Sequence, residues 1–149
     1  MSKSKTLFTE TDDYDSLVEF YIENGLELTF DDPLPVEIIK AWKCTDEDYN
    51  LIGGCTLAIR DGVYVVDCIA VDKKHRKQQL GSTLLQLAIK EAEKLGCKKL
   101  FLVAKIPEFF ETHGFKIINR EGAPEISECF RCPNFGKSCF PEVMQKNLI

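Results

Sequence analysis

A mixed α/β fold of the α+β kind, with a mostly antiparallel central sheet flanked by helices, follows from three observations. Apolar runs at residues 41–44, Leu51–Arg60 and Val63–Val71 succeed one another across short turn signals, as in a meander. The third run, VYVVDCIAV, feeds a basic, glutamine-rich loop, DKKHRKQQLGS, that opens a helix of 3.6-residue period. A further apolar strand, KKLFLVAK, and a short helix, PEFFETHGF, complete the pattern. The chain has 149 residues, 44% of them hydrophobic, which is enough for one domain with a substantial core. Residues 1–149 read as that domain, with 121–149 as a C-terminal extension.

Each element has its own signal. Residues 5–9 read as a short edge strand. Asp13 to Ser16 offer N-caps for a helix through Glu23, with Leu17, Phe20 and Tyr21 at helical spacing and Asn24-Gly25 to stop it. Asp31-Asp32-Pro33-Leu34-Pro35 is a turn-rich break. From Val36 the pattern fits a helical turn or a strand, and by 41–44 a strand. Residues 46–50 make a hairpin loop, and Leu51–Arg60 the returning strand, where Gly53-Gly54 marks a bulge or a close backbone approach. Asp61-Gly62 signals a two-residue hairpin into Val63–Val71. The following helix places Leu80, Leu84, Leu87, Ala88, Ala92 and Leu95 on one face, with Gly96 just past its end. The short helix has Pro107 at its first position, Glu108 in the first turn, His113 in the last and Gly114 beyond. The expected order is β-α-(turn or α)-β-β-β-α-β-α-β.

Charge is distributed unevenly. Residues 1–70 carry 15 Asp/Glu and 5 Lys/Arg, and residues 71–149 carry 9 and 14, so the balances are −10 and +5 within a net −5. The basic half suits an anionic ligand; the acidic half suits either a cationic partner or a solvated surface. Basic stripes with interleaved aromatics are missing, which argues against nucleic acid. No run approaches the ~18 apolar residues of a membrane helix. The N-terminus lacks a signal-peptide core, and seven scattered cysteines fit a reducing compartment, so a cytoplasmic location is expected.

A buried strand leading through a loop into a helix is a way of placing backbone N–H groups around a phosphate. Here Lys73, Lys74, Arg76 and Lys77 add positive charge to that loop. It is either an anion-binding loop or an ordinary exposed, basic connection. Asp67 is the sole charged residue in its apolar strand. An ionised carboxylate there must be hydrogen-bonded or paired. On the residues alone it reads as a carboxylate at a strand bulge satisfied by backbone N–H groups. His75 faces solvent or phosphate, and His113 either caps a helix C-terminus or takes part in catalysis.

Arg76-Lys77-Gln78-Gln79-Leu80-Gly81 resembles the Arg/Gln-x-x-Gly-x-Gly/Ala signature of the GCN5-related N-acetyltransferases, the GNAT superfamily. Ile69-Ala70-Val71 and Phe109-Phe110-Glu111…Gly114-Phe115 resemble that family's central strand and its F-Y-E-K-x-G-F segment, and the likeness runs over about residues 5–120. It departs at Gln79, where the family usually has glycine, and at Phe110, where it often has tyrosine. The resemblance implies acetyl-CoA as co-substrate. Its pyrophosphate would lie on Arg76, Lys77, Gln78, Gln79, Leu80 and Gly81, with Ser82 and Thr83 as hydroxyl donors. Its pantetheine arm would lie along Ile69, Ala70 and Val71. Asp67 takes the place of the family's carboxylate base. Phe110 cannot supply the acid that a tyrosine there gives to the departing thiolate. The aromatic pair also resembles N-acetylglutamate synthases, a pointer to an amino-acid acceptor.

The C-terminal extension carries Cys129, Cys132 and Cys139 in a Cys-x2-Cys-x6-Cys pattern. These either hold a structural zinc as three of its ligands or pack as small hydrophobes. Cys44, Cys55, Cys68 and Cys97 read as core. The expected activity is acetyl transfer from acetyl-CoA to a primary amine of a small molecule such as an amino acid or polyamine. The rivals are an acetyltransferase of protein N-termini or lysines, a non-catalytic acyl-CoA-binding module, and a zinc-dependent interaction domain. A homodimer is left open.

Overall fold

The computed structural model describes residues 6–24, 37–104, 107–119 and 142–148, without the side chains of residues 76–78. Strands are β1 (Leu7–Thr11), β2 (Glu37–Thr45), β3 (Leu51–Arg60), β4 (Val63–Val71), β5 (Lys99–Ala104), β6 (Lys116–Ile117) and β7 (Glu142–Asn147). Helices are α1 (Tyr14–Glu23), α2 (Leu80–Lys94) and α3 (Pro107–Glu111), with a 3-10 turn at Lys73–Gln78. The sheet order is β1-β2-β3-β4-β5-β7-β6. Every neighbouring pair is antiparallel except β4 with β5. The predicted mixed, mostly antiparallel sheet between helices is the observed architecture.

Local chemistry explains the boundaries. Asp13 caps α1, accepting from the Ser16 N–H at 3.3 Å and from the Ser16 hydroxyl at 2.8 Å. Asp61 and Gly62 both have positive φ, 49° and 77°, the two-residue turn whose twist matches a hairpin. Gly96 (φ 81°) ends α2 and Gly114 (φ 91°) follows α3, as their punctuation predicts. Lys40 Nζ lies 3.2 Å from both Glu10 and Glu91, tying β1 and β2 to α2.

Two apolar layers sandwich the sheet. α2 covers one face, where Leu84, Leu85, Ala88 and Ala92 pack with Trp42, Cys44, Cys55, Leu57 and Val66. α1 covers the other, where Leu17, Phe20 and Tyr21 meet Ala41, Cys68 and Ala70. A third cluster of Ala58, Val65, Phe101 and Val143 lies further along. Cys44, Cys55, Cys68 and Cys97 are all buried, as expected of core cysteines.

One expectation is corrected, and two open points are filled in. The buried face of α2 includes Leu85 and Ile89, while Leu87 is only half-buried and Leu95 is 44% exposed. Two adjacent ridges touch the sheet, so the apolar stripe is wider than a single i, i+4 row. Within the C-terminal extension, Glu142–Asn147 form β7, an interior strand between β5 and β6. Val143 and Met144 are consecutive and both fully buried, one on each face, which hides the alternation that marks half-buried strands. From Glu37 onward the ambiguous segment is strand, β2. The break at 31–35 and the cysteines Cys129, Cys132 and Cys139 lie outside the described residues. Among the described residues no helix is long and apolar enough to cross a membrane.

Candidate active site

The parallel ladder between β4 and β5 is short. It pairs Tyr64 with Leu100 and Val65 with Phe101 and goes no further, whereas the β3–β4 ladder continues to Gly53 and Val71. Past Val65, therefore, β4 and β5 part, and among the described residues the edge of β4 over Ile69 and Ala70 faces a fork. An extended ligand can add to such an edge as a strand would.

A bulge sits at this fork. Thr56 pairs with Cys68 and Leu57 with Val66, so Asp67 is the extra residue in β4. The bulge puts Asp67 and Cys68, neighbours in the chain, on the α1 face together; Cys68 Sγ is 4.0 Å from Asp67 Oδ2. Arg60 Nε donates to Asp67 Oδ1 at 2.5 Å and Arg60 Nη2 reaches Oδ2 at 3.4 Å. The arginine side chain is 9% exposed and the aspartate 15%. Asp67 is thus at a bulge, as one reading expects, but a guanidinium holds it on one side. Nearby, Tyr21 Oη and Thr56 Oγ1 share a buried hydrogen bond of 2.8 Å. Burial pushes the Tyr21 phenol well above its ordinary value, so it stays protonated.

At the other end of β4 lies the loop. Asp72 caps the 3-10 turn, accepting from the Lys74 N–H at 2.9 Å. The backbone of Arg76, Lys77 and Gln78 lies in that turn; their side chains lie outside the described parts. Gln79 adopts the left-handed conformation (φ 59°, ψ 23°) and its side chain makes no cap on α2. Helix geometry leaves the N–H groups of Leu80, Gly81 and Ser82 without intrahelical acceptors. Thr83 N–H bonds back to Gln79 O at 3.3 Å. A methyl group placed at Gly81 would stand 3.4 Å from Phe109 Cζ and 3.7 Å from Val71 Cγ2. The end of β4, the start of α2 and α3 therefore converge at one point. The first turn of α2 suits an anion, through its free amides and dipole.

The glycine-like backbone at Gln79 has a measurable consequence. A left-handed non-glycine costs about 1–2 kcal/mol, part of which glycine returns through greater unfolded-state entropy. Gln79→Gly is expected to stabilise by about 0.5–1 kcal/mol and raise Tm by roughly 2 °C, checked by thermal melts. An unchanged or lower Tm would show that the loop holds no such strain.

His113 is not where the simple capping rule puts it. His113 does not cap α3; Lys146 Nζ from β7 donates to the His113 carbonyl at 2.8 Å instead. The His113 ring turns to α2, with Nε2 3.1 Å from Ser82 Oγ and Nδ1 3.2 Å from Gln86 Nε2. Burial, then the charge of Lys146, hold its pKa below the usual histidine value. The unfolded chain then takes up the proton more readily, so stability falls as pH drops below about 6.5 and through the folded pKa. The difference in Tm between wild type and His113→Gln should shrink or reverse over that acid range. A difference independent of pH would contradict it. His75 is half-buried, its Nδ1 4.0 Å from Asp72 Oδ2.

Phe110 packs into the core beside Phe115, ring centroids 6.1 Å apart, and brings no hydroxyl to the fork. Among the described residues no group of three or more His, Cys, Asp or Glu side chains is placed to hold a metal. The sequence reading missed Arg60 and the Ser82–His113–Gln86 cluster. Arg60 was within reach of it: the two-residue turn at Asp61-Gly62 fixes Arg60 opposite Val63, on the face of the strand that Asp67 shares.

The model of the acetyltransferase (GNAT) family matches residues 7–115. The chain belongs to the GNAT acetyltransferase family. Solved structures agree in fold. A GNAT-family acetyltransferase from Staphylococcus aureus superposes with a TM-score of 0.70 at 19% identity, over 97% of this chain and all of that one. The ribosomal-protein-S18-alanine N-acetyltransferase of Escherichia coli gives 0.66 at 17%, over 97% and 94%. The N-acetylglutamate synthase of Neisseria gonorrhoeae, complexed with coenzyme A and N-acetylglutamate, gives 0.67 at 17%, over 99% of this chain and 36% of that one. The family resemblance read from Arg76–Gly81 and Gly114-Phe115 thus agrees with the family match over residues 7–115. Among the described residues of this GNAT chain, the parting of β4 from β5 at Ile69 and Ala70 fits the extended arm of an acyl-CoA, and the first amides of α2, which lack a side-chain cap, fit its pyrophosphate.

Proposed function

We propose that the chain is an acetyl-CoA-dependent N-acetyltransferase acting on the primary amine of a small molecule such as an amino acid or polyamine. The carrying observation is the fork itself, which has the bulged carboxylate of Asp67 near its mouth and the uncapped N-terminus of α2 at its far end. Leu80, Gly81 and Ser82 hold the pyrophosphate through their N–H groups, and the β4 edge at Ile69, Ala70 and Val71 holds the arm. A backbone N–H on that edge polarises the thioester carbonyl. The amine nitrogen forms the new bond to the carbonyl carbon, the carbon–sulfur bond breaks, and Asp67, directly or through water, takes the amine proton. The thiolate leaves without a tyrosine acid, since Phe110 is committed to the core. Arg60 orients the Asp67 carboxylate.

Calorimetric titration of acetyl-CoA, with Arg76→Glu as control, tests the first half. Micromolar binding that weakens at least tenfold in the variant is the expected result; a panel of amines, amino acids and N-terminal peptides assayed for CoA release then finds the acceptor. Absence of binding would sink the reading. Phe110 favours one rival, a non-catalytic acyl-CoA-binding module, which would bind acetyl-CoA yet release no CoA with any amine.

A further inference from the structure

Ser82 is the third residue of α2, and its neighbours are unusual for a helix-start serine. Its Oγ meets His113 Nε2 at 3.1 Å, and His113 Nδ1 meets Gln86 Nε2 at 3.2 Å, one turn along α2. A side-chain amide nitrogen only donates, so Nδ1 accepts and the imidazole proton sits on Nε2. From Nε2 that proton is donated to Ser82 Oγ. A serine oxygen that accepts from histidine keeps its own proton free for another acceptor. The opposite tautomer would reverse this: Nε2 would accept the serine proton and withdraw it from the helix N-terminus.

The surroundings hold the ring in place. Phe109 covers it, ring centroids 5.1 Å apart, and the same Phe109 borders Gly81. Lys146 Nζ fixes the backbone at the His113 carbonyl. Two helical residues and one from the segment after α3 are thus joined at the point where the chain leaves its amides free.

We propose that Gln86 and His113 form a positioning relay that turns the Ser82 hydroxyl proton toward the pyrophosphate of a bound acyl-CoA. His113 then sets cofactor affinity without touching the cofactor. The proposal rests on the reading of the α2 N-terminus as the acyl-CoA site.

Acetyl-CoA is titrated calorimetrically into wild type, Ser82→Ala, His113→Ala, the double variant and His113→Gln, with a thermal melt of each. A hydrogen bond to a charged group is lost in Ser82→Ala, so affinity falls about tenfold. His113→Ala loses several-fold, and the double variant is no weaker than Ser82→Ala, because both changes remove one interaction. His113→Gln recovers most of the affinity, as its amide can donate to Ser82. Nitrogen-15 NMR of the imidazole reports the Nε2–H tautomer in wild type. A His113→Ala variant that binds like wild type, additive losses, or an Nδ1–H tautomer would each overturn the relay while leaving the acyl-CoA reading intact. A wild type that does not bind acetyl-CoA would remove both.

Discussion

Asp67→Asn is expected to slow acetyl transfer by about 10²–10⁴-fold, the range for loss of a general base, with acetyl-CoA affinity nearly unchanged. The expectation comes from where the carboxylate stands: on the bulge of β4, two residues past the last pairing with β5. A base must be held in one orientation to work, and here Arg60 holds it from the β3 side. The same pairing gives Asp67 a structural role, and the two must be separated. Removing the negative charge leaves a guanidinium at 9% exposure short of one partner, a loss of about 1–3 kcal/mol. Melts and acetyl-CoA titration of the variant read that cost, and initial rates of CoA release below the melting range read the chemistry. Arg60→Gln tests the other side: it should destabilise by a similar amount but lose less rate, since the carboxylate remains. If Asp67→Asn were destabilised yet turned over at the wild-type rate, Asp67 would be only the counter-ion of Arg60.

Much of this architecture is legible in the sequence, for local reasons. The turn at Asp61-Gly62, the cap at Asp13 and the stops at Gly96 and Gly114 depend on residues within a few positions of one another. The strand–loop–helix of Val63–Val71 and Leu80–Lys94 shows a continuous apolar run giving way to a 3.6-residue period, and the loop composition points to an anion. Gln79 is instructive, because the family pattern alone indicated a glycine-like backbone there, and the glutamine adopts it. What escaped depends on tertiary pairing. β7 enters between β5 and β6 from the far end of the chain, and no local pattern announces an interior strand whose buried residues are adjacent. The His113 ring belongs to a segment whose own rules predict a cap, yet its partners lie 31 and 27 residues away on α2. Lys146, from β7, supplies the cap in its place, so missing the strand meant misreading the histidine.

The second large effect concerns how α1 supports the fork. Gly54 faces α1, and a methyl group there would lie 2.7 Å from Leu17 Cδ2 and 3.3 Å from the ring and hydroxyl of Tyr21. Leu17 and Tyr21 are each 2% exposed, so neither has space to retreat. Gly54→Ala is expected to destabilise by about 1–3 kcal/mol through overpacking, a Tm loss of roughly 3–10 °C. Leu17→Ala alone should cost about 2–5 kcal/mol by leaving a cavity. Combined, the two changes should cost less than their sum by at least about 1 kcal/mol, because the new methyl group occupies space the leucine vacates. The consequence reaches the site. α1 covers Cys68 and Ala70 on β4, and Tyr21 is bonded to Thr56, the partner of Cys68 in the register. Displacing α1 in Gly54→Ala therefore loosens the strand on which Asp67 stands, and acetyl-CoA affinity should fall with stability. Full affinity in Gly54→Ala despite the lower Tm would mean that the β4 edge keeps its shape without α1, and that β3 alone holds the bulge.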